Sequence, residues 1–177
     1  MSTHDFHDLA TVVDETHALF DAWSESGALS PPLSGDGEIV LRLAVHEWIA
    51  NLVQHAVFRD GRPEVRLHVE PRADAVRVFI EDNSMGFDLL GQVEQQKALL
   101  DAPAPSERGR GLLMLITCTE NLDYLPASRG RQRLSFDVVD PDPAVFQDLF
   151  VPADAELVAG DGSAEQPLPP VSGRDDR

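Results

Sequence analysis

Apolar positions follow a helical period in the first third of the chain and a period of two after it. Leu9, Val12, Val13, Thr16, Leu19, Phe20 and Trp23 recur at helical spacing, which predicts an amphipathic helix from about Asp8 to Glu25 with that face buried. Gly27 and the Pro31-Pro32 pair end it. A second helix is predicted from about Asp36 to Phe58, carrying Ile39, Leu43, Val45, Trp48, Ile49, Leu52 and Val53. Arg59-Asp60-Gly61-Arg62-Pro63 reads as a turn. Beyond it Val65, Leu67 and Val69 alternate with polar residues, and Val76, Val78 and Ile80 do the same after Arg72-Ala73-Asp74, which predicts a hairpin. Residues from about Leu89 to Leu100 read as a short mobile helix, which the prolines of Ala102-Pro103-Ala104-Pro105-Ser106 cannot continue. A glycine-flanked helix is expected from Arg110 to about Glu120. Strands near Leu122 to Pro126 and Arg133 to Val139, joined at Ser128-Arg129-Gly130, would complete a mostly antiparallel sheet.

At 177 residues and 42% hydrophobic content, the chain is long enough for one substantial core. One domain is expected over residues 1–150, with a short helix at Ala144 to Phe150 capping the fold. From Val151 the composition turns to Pro, Gly, Asp and Ala with little to bury, so residues 151–177 read as a disordered tail. No stretch is apolar enough to span a bilayer, and Met1 to Asp8 carries neither a basic leader nor an apolar signal core. A cytoplasmic protein is expected. The lone Cys118 has no internal disulfide partner, and Leu115-Ile116-Thr117-Cys118 reads as packed helix.

A formal net charge of −17, with Lys97 as the only lysine, argues against direct nucleic-acid binding, which needs cations to neutralise phosphates. It describes a solvated acidic surface, or else a docking patch for a basic partner.

Three segments concentrate candidate chemistry. In Glu47-Trp48-Ile49-Ala50-Asn51-Leu52-Val53-Gln54-His55-Ala56, the residues Glu47, Asn51 and His55 stand at i, i+4 and i+8 and line one stripe of the second helix. Taken alone, such a stripe equally describes a solvent face. Glu81-Asp82-Asn83-Ser84-Met85-Gly86-Phe87-Asp88 sets an acid at a strand end before a glycine turn, which can aim a carboxylate into a pocket and let a ligand approach the backbone. Strand-terminal Asp-Asn turns also occur in loops without ligands. Glu107-Arg108-Gly109-Arg110-Gly111-Leu112 places two glycines before an apolar helix, where free N–H groups at a positive helix end suit phosphate oxygens. Neither a full dinucleotide fingerprint nor a Gly-x-x-x-x-Gly-Lys loop is present.

Together and in this order, the three segments resemble the N, G1 and G2 boxes of the GHKL ATPase superfamily. Histidine-kinase catalytic domains, type II topoisomerase ATPase domains and a heat-shock chaperone share them. The short chain, the helix before the first box and the run Glu-x-x-x-Asn-x-x-x-His-Ala look most like the bacterial anti-sigma-factor serine/threonine kinases, over roughly Leu9 to Val139. A histidine-kinase catalytic domain is less expected, since no phosphoacceptor helix pair precedes the first box.

The resemblance implies an α+β two-layer sandwich, the Bergerat fold, with a mostly antiparallel mixed sheet covered by helices on one face. It implies that Asn51 ligates a magnesium ion bridging nucleotide phosphates and that Glu47 is the base for a substrate serine hydroxyl. Asp82 would accept from the adenine amino group, and Gly86 would let the chain pass close to the base. Gly109, Gly111 and the following Leu112 would cradle phosphates, with Arg108 and Arg110 as charge partners. His55 carries no assigned chemistry and reads as structural.

Where the family commonly has Asp-x-Gly-x-Gly, Ser84 stands at the first glycine, which would cost roughly 1 kcal/mol if that position needs positive φ. The activity implied is an ATP- and Mg-dependent protein serine/threonine kinase that binds a sigma factor and phosphorylates an anti-anti-sigma antagonist. The alternative is a nucleotide-binding partner-switch module without kinase activity. The apolar face of the first helix is a candidate surface for a homodimer or partner, and Leu89 to Ser106, between two boxes, is expected to act as a lid.

Overall fold

The computed structural model describes residues 2–29, 32–89, 91–94 and 110–142, all within one compact unit that ends at Asp142. The expected helix at 144–150 and the tail at 151–177 lie outside the described residues.

Two helices and a hairpin form where the periodicity predicts them. Helix α1 spans Val12–Ser26 and buries Val12, Thr16, Phe20 and Trp23. It starts later than expected because Asp8 makes a turn instead, its carboxylate accepting from Ala10 N–H at 2.8 Å. Gly27 closes the helix in the left-handed region (φ 67°), where glycine carries no Cβ penalty. Helix α2 spans Gly35–His55, and the Ser34 side chain caps it by accepting from Gly37 N–H at 3.3 Å. Its buried stripe is Val40, Leu41, Ala44, Val45, Trp48, Ile49 and Leu52. Ile39 and Val53, expected inside, are 44% and 38% exposed, because the buried stripe is rotated away from both.

Strands β2 (Val65–Pro71) and β3 (Val76–Asp82) form the predicted hairpin, with Val69 opposite Val78 and Val65 opposite Asp82. Helix α3 (Arg110–Cys118) buries Leu112 and Leu115. Strands β4 (Glu120–Pro126) and β5 (Gln132–Val138) turn through Arg129 and Gly130, at φ 60° and 70°. Two successive positive φ values suit a type I′ hairpin.

A strand absent from the sequence expectation, β1 (Ser2–Phe6), adds to the far edge of β2. The sheet runs β1-β2-β3-β5-β4, with every pairing antiparallel. Val65, Leu67, Val69, Val76, Val78, Ile80, Leu134, Phe136 and Val138 form its buried face, and α2 lies against β5 and packs on α1 and α3. This is the expected α+β two-layer arrangement.

Arg66, His68, Phe79, Glu81 and Arg133 line the opposite face, with a shallow depression of about 340 Å³. Its guanidiniums are already paired, Arg66 with Asp5 at 2.6 Å and Arg133 with Glu81 at 2.7 Å. Among the described residues no helix is long and apolar enough to cross a membrane.

Candidate functional site

The apolar face of the sheet ends in polar residues. Strict alternation along β3 carries the inward side from Val76 through Val78 and Ile80 to Asp82, so this carboxylate is buried, 0% exposed. Its Oδ1 accepts from Ser84 N–H at 2.8 Å, whereas Oδ2 is buried without a hydrogen-bond partner among the described residues. Burial pushes its pKa above the usual carboxylate range, opposed by the Ser84 hydrogen bonds and the charge of Arg131. A buried acceptor oxygen with no partner among the described residues can take a further donor.

The loop after Asp82 is fastened to the connection between α2 and β2. Asn83 accepts from Glu64 N–H and donates to the Arg62 carbonyl, both at 2.8 Å, and Met85 N–H donates to the Val57 carbonyl at 2.9 Å. Ser84 is buried, and its hydroxyl accepts from Gly86 N–H at 3.1 Å. Ser84 does not adopt positive φ, so the conformational cost considered for it does not arise. Gly86 takes that conformation, at φ 80°.

Aromatic rings wall the same end. Trp48 from α2, Phe87 and Tyr124 from β4 form a triangle with each pair of ring centroids 5.2 Å apart. The Tyr124 hydroxyl lies near the Phe87 backbone and the Ser84 side chain without a well-aligned bond to either. Burial and then the negative charge of Asp82 push its pKa up to about 12. Nothing in the sequence pattern marked Tyr124 or Phe87, since each looks like an ordinary core aromatic.

Helix α2 brings Glu47 and Asn51, both half-buried, onto one side. The Glu47 carboxylate rests on Gly111 at the start of α3, in the space a Cβ there would occupy. The catalytic and phosphate-cradle candidates Glu47 and Gly111 therefore meet in space, one turn of α2 from Asn51. Neither Glu47 nor Asn51 hydrogen-bonds through its side chain to a described residue. Leu112 points into the core, 5% exposed. Arg108 and Gly109 lie outside the described residues, as does the lid segment beyond residue 94, although Leu89 and Val93 at its start are buried. Arg110 is the first residue of α3. His55 is exposed at the last turn of α2 and joins none of these groups.

The donor chemistry suits Mg-nucleotide. A half-buried neutral amide oxygen without a protein partner among the described residues offers one hard ligand, which matches an ion that keeps phosphate oxygens and waters as its others. Among the described residues no cluster of three or more His, Cys, Asp or Glu side chains could hold a metal by itself. Cys118 is half-buried, and burial raises its thiol pKa, as expected of a structural cysteine.

The chain belongs to the histidine kinase-like ATPase domain family, which matches residues 9–137. That span holds Glu47, Asn51, Asp82, Gly86 and the Gly109 to Leu112 run. Among solved structures the chain is similar to the histidine kinase domain from Erythrobacter litoralis EL346 blue-light activated histidine kinase, at 14% identity and a TM-score of 0.43, covering 80% of this chain and 62% of that one. It is also similar to the nucleotide-free catalytic domain of histidine kinase ThkA, at 14% identity and a TM-score of 0.38, covering 80% of this chain and 100% of that one. The chain thus spans less than two thirds of the Erythrobacter domain. No curated protein matches it.

Proposed function

We propose that the chain is an ATP- and Mg-dependent protein serine/threonine kinase that binds a sigma factor and phosphorylates an anti-anti-sigma antagonist. The observation that carries the catalytic part is the Glu47 carboxylate seated on Gly111, where the helix that would receive phosphates begins. In this reading Asp82 accepts from the adenine amine and Gly86 lets the base lie against the backbone. Gly109, Gly111 and the N-terminus of α3 receive the phosphates, with Arg108 and Arg110 beside them. Asn51 holds the magnesium ion, which when bound neutralises phosphate charge and aligns the γ-phosphoryl group. Glu47 orients the substrate serine and takes its proton as the serine oxygen bonds to phosphorus and the bond to ADP breaks. The choice of serine, sigma factor and antagonist rests on the sequence resemblance.

The test is radiolabel transfer from ATP to candidate antagonist proteins encoded nearby. Glu47→Gln is expected to retain nucleotide and sigma-factor binding while slowing transfer by about a hundredfold or more, the scale of a lost general base. Transfer at the full rate by Glu47→Gln refutes the role of Glu47. A parent protein that binds ATP and its partners but transfers nothing is a binding module.

A further inference from the structure

Helices α1 and α2 are tied by polar contacts that recur about once per turn. Ser24 donates to the Glu38 carboxylate at 2.9 Å, and one turn along Arg42 donates to Asp21 at 2.6 Å. Each of these contacts pairs a donor with an acceptor. The next step of the same seam, four residues on in α2 and four back in α1, brings His17 against His46. Here the two side chains are identical.

Their ring nitrogens face each other, His17 Nε2 lying 3.0 Å from His46 Nδ1 with ring centroids 5.1 Å apart. A neutral imidazole has one N–H and one lone pair, so a hydrogen bond forms here only when one of the facing nitrogens carries the proton. Otherwise two lone pairs meet. A transition-metal ion that favours imidazole accepts both lone pairs at once. With metal–nitrogen bonds of about 2.05 Å, nitrogens 3.0 Å apart subtend about 94° at the ion, near the right angle of a tetragonal site and about 0.35 Å short of the separation for tetrahedral zinc. Histidine χ2 torsions are soft, so each ring can turn its lone pair off the line between the nitrogens toward a common point. His17 is exposed and His46 half-buried, which gives an ion access from solvent. The neighbouring Arg42 guanidinium is paired with Asp21, which offsets its repulsion of a cation. Val13 and Ala50, one turn the other way, are uncharged.

We propose that His17 and His46 form a transition-metal site that staples α1 to α2, taking zinc, nickel or copper(II) through two imidazole nitrogens with water completing the coordination. The site is distinct from the magnesium position, since magnesium takes hard oxygen ligands rather than a pair of imidazoles. His46 directly precedes Glu47, so the ion ties α1 to the helix that carries Glu47 and Asn51.

The test is calorimetric titration of the full chain with nickel chloride and with zinc chloride in magnesium-containing buffer, for the parent, His17→Gln, His46→Gln and the exposed control His55→Gln. The parent should bind one ion at this site. Each seam variant should weaken binding about tenfold or more, because loss of a group merely supporting a ligand already costs about ten- to a hundredfold. His55→Gln should bind as the parent does. Without metal the seam variants should unfold near the parent's Tm, and zinc should raise Tm only where both histidines remain. Paramagnetic resonance of the copper(II)-loaded chain should show two coordinated imidazole nitrogens in the parent and one in each seam variant, a count that altered packing does not reproduce. No saturable binding by the parent overturns the proposal, and so does binding that survives both seam substitutions unchanged, which would put the ion on other groups.

Discussion

The unpartnered oxygen of Asp82 should cost the protein stability when no nucleotide is bound. Burial raises its folded-state pKa above the ordinary 3.8, so the folded form holds a proton more tightly than the unfolded chain does. The sign follows. Stability from this group is fully present below the ordinary pKa and declines as pH rises through the folded value, because the unfolded state then binds fewer protons than the native one. Ionising this carboxylate in the folded state is a net burden. Asp82→Asn keeps the acceptor for Ser84 N–H and replaces the buried charge with a neutral amide. A buried acceptor left unsatisfied costs about 1–3 kcal/mol and more when charged, and the new amide N–H returns part of that. The expected net gain is on the order of 1 kcal/mol, or about 2–4 °C in Tm for a chain of this size.

The assay is thermal unfolding without nucleotide between about pH 3.5 and 8, where the gain should grow with pH and vanish at the acid end. The same variant should bind ATP about ten- to more than a hundredfold more weakly, from losing roughly 1.5–3 kcal/mol of charge-assisted hydrogen bonding. ATP itself should raise the Tm of the parent and not that of the variant. A lower Tm for Asp82→Asn at neutral pH, equal at every pH, would refute the reasoning and make the carboxylate a structural partner.

Two other substitutions probe the opposite end of the site. Asn51→Ala should abolish the magnesium dependence of ATP binding while shifting Tm by less than about 0.5 kcal/mol equivalent, since the side chain is half-buried and unbonded among the described residues; Mg-ATP titration and thermal unfolding check this. Gly111→Ala sets a methyl group where the Glu47 carboxylate rests. The carboxylate is the free end of a flexible side chain, so the fold should survive while the base is displaced, lowering phosphoryl transfer by about tenfold or more with Tm nearly unchanged. Unaltered transfer would show that Glu47 acts from another position.

The elements legible in the sequence were those whose burial follows a simple period. Val65, Leu67 and Val69 against Val76, Val78 and Ile80 predicted β2 and β3, and continuing the same alternation brings Asp82 inside. Strand β1 gave no such signal, because Ser2-Thr3-His4-Asp5-Phe6 contributes only Phe6 to the core. The exposure of Ile39 and Val53 was equally hidden, since α2 has apolar residues around much of its circumference and tertiary packing selects the buried stripe. The spacing of Glu47 and Asn51 was readable. That Glu47 meets Gly111 depends on how α2 and α3 pack, and the pairing of Gln132 with Asp82 depends on a strand register that no local motif encodes.

The aromatic triangle also gives this protein an internal optical reporter. The chain has two tryptophans and one tyrosine, and the triangle takes one of the former and the latter. The other tryptophan, Trp23, lies in α1 with its ring edge-on to Phe20 at 5.2 Å. In a Trp23→Phe background, all remaining indole emission comes from a ring in contact with Phe87 and Tyr124, beside the open oxygen of Asp82. A base entering that corner would alter the polarity around Trp48 and the energy it receives from Tyr124, so site occupancy could be followed by fluorescence in unlabelled protein.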